Sequence, residues 1–135
     1  MKTDNVNLIT HFLLRVVAGL IIMQAGGTKI LDWFGGVPAQ FGGHPAFLTQ
    51  AWIGGVFELY GGMLVLTGLC TRFAAFILSG QMAIAYFQFH QPNGTWPAQN
   101  GGIPAVLLCF IFLFLAASGS GPWSLDAVIT RKRTK

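Results

Sequence analysis

IGGVFELYGGMLVLTGLCT, from Ile53 to Thr71, decides how the chain is read. The run is apolar, spotted with glycine, and holds a single carboxylate, Glu58. Gly54, Glu58, Gly61, Val65 and Gly68 recur at steps of four and three, which places them on one face of an α-helix. A face of small residues lets membrane helices approach closely. A charge at membrane depth is costly and is kept where it faces a partner or a cavity. The stretch therefore predicts a membrane helix with a buried acid on its packing face, and it raises the question of which group answers Glu58.

The composition agrees with a membrane class. Of 135 residues, 53% are hydrophobic and only 9% charged, with a mean hydropathy of +0.61. Soluble domains carry about 25% charged residues, so this chain has too few to solvate a surface. Between Phe73 and Leu125 there is no charged residue. At about 20 residues per crossing, that interval holds two spans and a loop. Four spans are expected, at 11–34, 51–69, 73–90 and 103–118. A Gly/Pro loop (35–50), a tight Cys70-Thr71-Arg72 connection and a turn-rich loop (91–102) join them. The polar lead Met1–Thr10 is followed by an apolar run interrupted by Arg15, which is no signal-peptide pattern, so the first span is expected to stay. The expected fold is all-α: one integral membrane four-helix bundle over residues 1–135.

Orientation follows from Lys and Arg placement. Lys2, Arg15, Arg72, Arg131, Lys132, Arg133 and Lys135 lie at the termini or the short connection, and Lys29 alone lies near the other side. That bias places both termini in the cytoplasm and the two long loops outside, in a multi-pass protein of a cell inner membrane. The net charge of +4 and the terminal RKRTK match a topology signal touching anionic headgroups. No nucleic-acid partner is expected.

Depth then selects a partner for Glu58. At 1.5 Å per residue, Glu58 lies about 10 Å and Lys29 about 6 Å below the outer ends of their helices. Arg15, Gly19, Ile22, Gly26 and Lys29 again step by four and three, so Lys29 shares a face with two glycines. A Lys29–Glu58 pair is the first expectation, with Asp32 as a competitor for Lys29. Arg15 sits near the inner end, where Asp126, helix-end carbonyls or lipid phosphate are its expected partners. Gln24, Gln81, Gln88 and His90 add polar groups that could line an outward-opening cavity with Lys29 and Glu58. The glutamines have a structural reading as well, as hydrogen-bonding glue between helices at about 1 kcal/mol each.

The remaining chemistry-bearing residues form no motif. Cys70 and Cys109 lie at different depths and make no CxxC. His11, His44 and His90 lack metal-ligand spacing, and no metal site is expected. Trp33, Trp52, Tyr86, Trp96 and Trp123 fall near span ends as an interfacial belt. A cleft lined by aromatics and by Met23, Met63 and Met82 is compatible with a quinone ring.

These pieces resemble the DoxX family of small four-helix membrane proteins. The resemblance rests on LLRVVAGLIIMQAGGTKILDWFGG (Leu13–Gly36), ELYGGMLVLTGLCTRFAA (Glu58–Ala75), the His90 region with NGG (Asn100–Gly102), and GSGPWSLD (Gly119–Asp126). It implies that Arg15, Gly26, Lys29, Glu58, Gly62, Arg72, Ser124 and Asp126 are the family's signature positions. Ala25 stands where many members have His, and Ile103 stands where relatives with NGG often have Glu. The family is functionally mixed. It includes the membrane subunit of a thiosulfate:quinone oxidoreductase and proteins tied to thiol or quinone stress. The resemblance therefore implies a membrane oxidoreductase component passing electrons from a thiol or sulfur compound to quinone. Glu58 and Lys29 would be its catalytic pair, and Arg15, Gln24, Gln81, Gln88 and His90 its binding residues. The lipid bilayer, a partner subunit and a second copy of the chain are the expected partners. A non-catalytic scaffold for another protein is the alternative, and a small-solute carrier the third reading.

Overall fold

A computed structural model describes residues 3–133; Lys2 and Lys135, both counted above toward orientation, lie outside the described residues. Every regular element among the described residues is helical. The six α-helices are α1 (Thr3–Ile30), α2 (Gln50–Thr67), α3 (Thr71–Ala85), α4 (Pro97–Asn100), α5 (Ile103–Ser118) and α6 (Leu125–Arg133). A π-helical turn, Tyr86–His90, continues α3.

Local chemistry sets the ends. α1 stops at Ile30, short of residue 34, because Asp32 (φ 53°) and Phe34 (φ 59°) enter the left-handed region. α2 starts on Thr49, whose Oγ1 accepts from the Trp52 amide at 3.3 Å. It ends at Gly68 (φ 75°), whose amide returns to the Leu64 carbonyl at 3.0 Å. α5 occupies the 103–118 interval expected for the fourth span.

Packing joins α1 to α2 as one antiparallel pair and α3 to α5 as another, with a thinner seam between α2 and α3. Consecutive glycines on α2 serve both seams. A Cβ on Gly62 would lie 2.7 Å from the Met23 amide nitrogen of α1, and one on Gly61 would lie 3.2 Å from Leu78 of α3. The stripe that meets α1 is thus Gly55–Gly62, one residue over from the Gly54–Gly61 stripe, which turns to α3. Glu58 stands between the two stripes, within reach of both neighbours.

Burial runs opposite to a soluble protein. Arg15 and Glu58 are 1% and 3% exposed, whereas Phe73, Phe76 and Phe110 are 64–70% exposed. The apolar core beneath them is built around Ile22, Val65, Leu78, Phe112 and Leu115. An outer surface of aromatic side chains around buried charge suits lipid as solvent. By length and composition α1 alone is long and apolar enough to cross a membrane; α5 is apolar but has 16 residues.

Candidate functional site

Lys29 lies in the last turn of α1 and Glu58 two turns into α2. The antiparallel pairing brings the Lys29 Nζ to 2.7 Å from both Oε1 and Oε2 of Glu58. The glycines beside them permit this. Gly26 presses its backbone against Leu59 and Gly55, and a Cβ on Gly55 would lie 2.9 Å from the Lys29 Cβ. The pair is asymmetric: the Glu58 side chain is 5% exposed and the Lys29 side chain 33%. Lys29 therefore connects a buried carboxylate to the exterior.

α3 supplies a third member. The Gln81 Nε2 donates to the Gly54 carbonyl at 2.9 Å and to Glu58 Oε1 at 3.0 Å. Both partners are acceptors, so the amide must present its NH₂ to them. That leaves the Gln81 Oε1 buried and without a hydrogen-bond partner among the described residues. The three side chains tie α1, α2 and α3 together around one carboxylate.

Beside this cluster the thin α2–α3 seam opens into a groove of about 520 Å³, lined by Phe57 and Ile53 of α2, Phe76 and Ile84 of α3, and Cys109 of α5. Gly54 and Gly80 leave room for it, and Gln81 stands on its wall. Its walls are apolar and its polar groups few, which suits a flat apolar ring with one or two hydrogen-bonding groups.

The other sequence-selected residues lie elsewhere. The Gln88 side-chain Oε1 accepts from Gln50 Nε2, and Gln50 lines the groove, so Gln88 reaches it at second hand. His90 Nδ1 is 3.2 Å from the Asn100 carbonyl and the ring stacks on Tyr86, which holds the outer loop rather than the cluster. Gln24 is exposed on α1, away from Glu58. Asp32 does not compete for Lys29; its Oδ1 lies 2.9 Å from His44 Nδ1.

Arg15 belongs to the opposite end. Its Nη1 donates to the carbonyls of Val65 (2.8 Å) and Leu66 (2.7 Å), and its Nη2 to that of Trp123 (2.7 Å). The Trp123 carbonyl lies just before α6; those of Val65 and Leu66 lie in the last turn of α2, where a cation also complements the helix dipole. Arg72 does the same for α5 through Ala116 and Ala117. Asp126 accepts from the Cys70 amide at 3.0 Å. The signature polar positions thus divide into a capping set at one end and the Lys29–Glu58 pair at the other. Gln50, Phe57, Phe76 and Gly80 were not singled out from sequence; the Gly80-Gln81 step, opposite Gly54, is the one signal that could have found the groove.

A family model described as DoxX matches residues 10–91. Among curated proteins, an uncharacterized protein of Haemophilus influenzae is 38% identical over 126 residues, covering 88% of this chain and 90% of its own length. An uncharacterized membrane protein of Mycobacterium tuberculosis, Rv3486, is 31% identical over 135 residues, covering 90% and 82%. The inner membrane protein YqjF of Escherichia coli is 26% identical over 119 residues, covering 87% and 90%. No solved structure matches significantly.

Proposed function

The chain belongs to the DoxX family of membrane proteins, and from that premise we propose that it binds a quinone in the α2–α3 groove as the membrane component of an oxidoreductase. The observation that carries this reading is the apolar groove of about 520 Å³ with Gln81 on its wall and Glu58 one hydrogen bond behind it. In the proposal the four long helices cross a cell inner membrane with both termini in the cytoplasm, and the groove opens to the acyl chains through which a quinone travels.

Two thiols oxidised to a disulfide release two electrons and two protons; a quinone taking up both pairs becomes a quinol. Glu58 has the position for proton relay, buried but linked by Lys29 to the exterior. Lys29 also offers a cation to an anionic sulfur donor. The Gln81 Oε1, buried without a partner, is the acceptor that the O–H of a reduced ring would satisfy. Electrons arrive from a partner subunit or by direct contact of the two substrates.

A scaffold reading is favoured by a different observation: the Glu58 carboxylate accepts from both α1 and α3, which would serve helix register alone. Mass spectrometry of an organic extract of the protein, purified in mild detergent, separates the two. The quinone reading expects a stoichiometric quinone that Glu58→Gln or Lys29→Met removes. Lipid alone in wild type and variants would sink it in favour of the scaffold.

A further inference from the structure

The quinone reading makes no use of α6, which has two unlike surfaces. Leu125, Val128 and Ile129 fall on one stripe of the helix, and each is 43–48% exposed. Trp123, just before the helix, is 53% exposed. Arg131 and Lys132 follow on the exposed last turn, with Arg133 and Lys135 next in sequence. A helix with an apolar stripe and a cationic end has the make-up of one lying in a membrane interface.

The root of α6 is fixed. The Asp126 amide donates to the Gly68 carbonyl at 3.1 Å. The Trp123 carbonyl accepts from Arg15, which is 1% exposed, so lifting α6 would leave a buried guanidinium short of a partner. The Trp123 ring meets Phe12 edge-on at 5.5 Å between centroids. Beside Trp123 a mostly apolar hollow of about 290 Å³ is lined by Asn5, Leu8 and Ile9 of α1. The basic residues are therefore held at a set place by the α2–α3 turn, next to a recess that accepts apolar groups.

We propose that α6 is an interfacial helix that binds anionic phospholipid, with headgroup phosphates on the Arg131–Arg133 run and upper acyl segments against Trp123 and the Leu125–Val128–Ile129 stripe. The charge is complementary to an anionic headgroup. The stripe and recess select a lipid over a free anion, which would use the charges alone. The inference needs α6 at the inner membrane surface and does not depend on the groove's ligand.

Native mass spectrometry of the full chain, extracted from vesicles of equal phosphatidylcholine and phosphatidylglycerol, tests this. The wild type is expected to retain phosphatidylglycerol preferentially. The variant R131Q/K132Q/R133Q should lose that preference, at about fivefold per neutralised charge. The variant L125S/V128S/I129S, with charges intact, should lose it as well. Equal retention of the two lipids by the wild type would overturn the proposal. So would a preference that survives the charge variant. Displacement of the lipid by inorganic phosphate at constant ionic strength, with the stripe variant behaving as wild type, would show a simple anion site instead.

Discussion

Two buried charges sit among the described residues, and their partners give them different tasks. Glu58 answers to side chains, Lys29 and Gln81, which can rotate away and leave it to another partner. Arg15 answers to three backbone carbonyls, which cannot. Arg15 is thus a structural clasp, and its planar fork is what lets one side chain reach α2 and the segment before α6 together. Arg15→Lys keeps the charge but not the fork, and at least one buried carbonyl loses its donor. We expect a loss of about 2 kcal/mol or more, read as a lower thermal midpoint in detergent, with Arg72→Lys costing less because Arg72 is exposed. Equal effects at the two positions would remove the distinction. The Lys29–Glu58 pair was legible in sequence because charges are rare in this chain and both lie on glycine-bearing helical faces. The role of Arg15 was open, since carbonyl partners leave no side-chain signature. Gln24 was included for its mid-depth position although its register sets it off the Lys29 face, and that offset leaves it exposed.

At the α1–α2 seam two helix backbones approach closely, and glycine makes it possible. Gly19, Gly26, Gly55 and Gly62 bring two backbones to distances at which a Cβ has no room. A methyl on Gly62 would press on Met23 backbone, which a side-chain rotation cannot relieve. Gly62→Ala should destabilise by about 1–3 kcal/mol and loosen the Lys29–Glu58 pair. Gly80→Ala, where the added Cβ meets nothing within 4 Å, should leave the thermal midpoint nearly unchanged. Loss of stability at Gly80 matching that at Gly62 would contradict this account. The starts of α2, α3 and α5 fall within two residues of where the apolar runs begin, but α1 begins at Thr3, eight residues before the expected start, because its first turns are polar. The early end of α1 was missed because Phe34 does not announce a left-handed backbone, although Asp32, of a type that enters that region more readily, was a signal passed over. The groove was also hidden, since it arises from the thin packing of α2 on α3 between ordinary Phe, Ile and Gly side chains.

At the scale of the molecule, the polar residues sort to two ends, joined by apolar seams and wrapped in exposed aromatic side chains. The capping end gathers Arg15, Arg72 and Asp126 with the basic tail, and the site end gathers Lys29, Glu58 and Gln81. With the positive residues inside, a green fluorescent protein fused after Lys135 should fluoresce in intact cells, and an alkaline phosphatase fused in the 35–50 loop should be active. The reverse pattern would invert the proposed orientation and put the site on the cytoplasmic side. Charge sparsity made the membrane class and helical fold readable from composition; the ligand was not, because Phe, Ile and Gly walls carry no motif. The measurement that bears most directly on the site is equilibrium binding of a short-chain quinol, kept reduced, to the full chain in detergent, comparing wild type with Gln81→Leu. Leucine keeps the bulk and removes both the bond to Glu58 and the unpartnered acceptor, so its thermal midpoint reports the fold separately. The account predicts an affinity loss of about tenfold, the worth of one buried hydrogen bond, in a variant that stays folded at the assay temperature although its midpoint falls with the lost bonds to Gly54 and Glu58. Saturable binding of equal affinity in both proteins, or none in either, would contradict it.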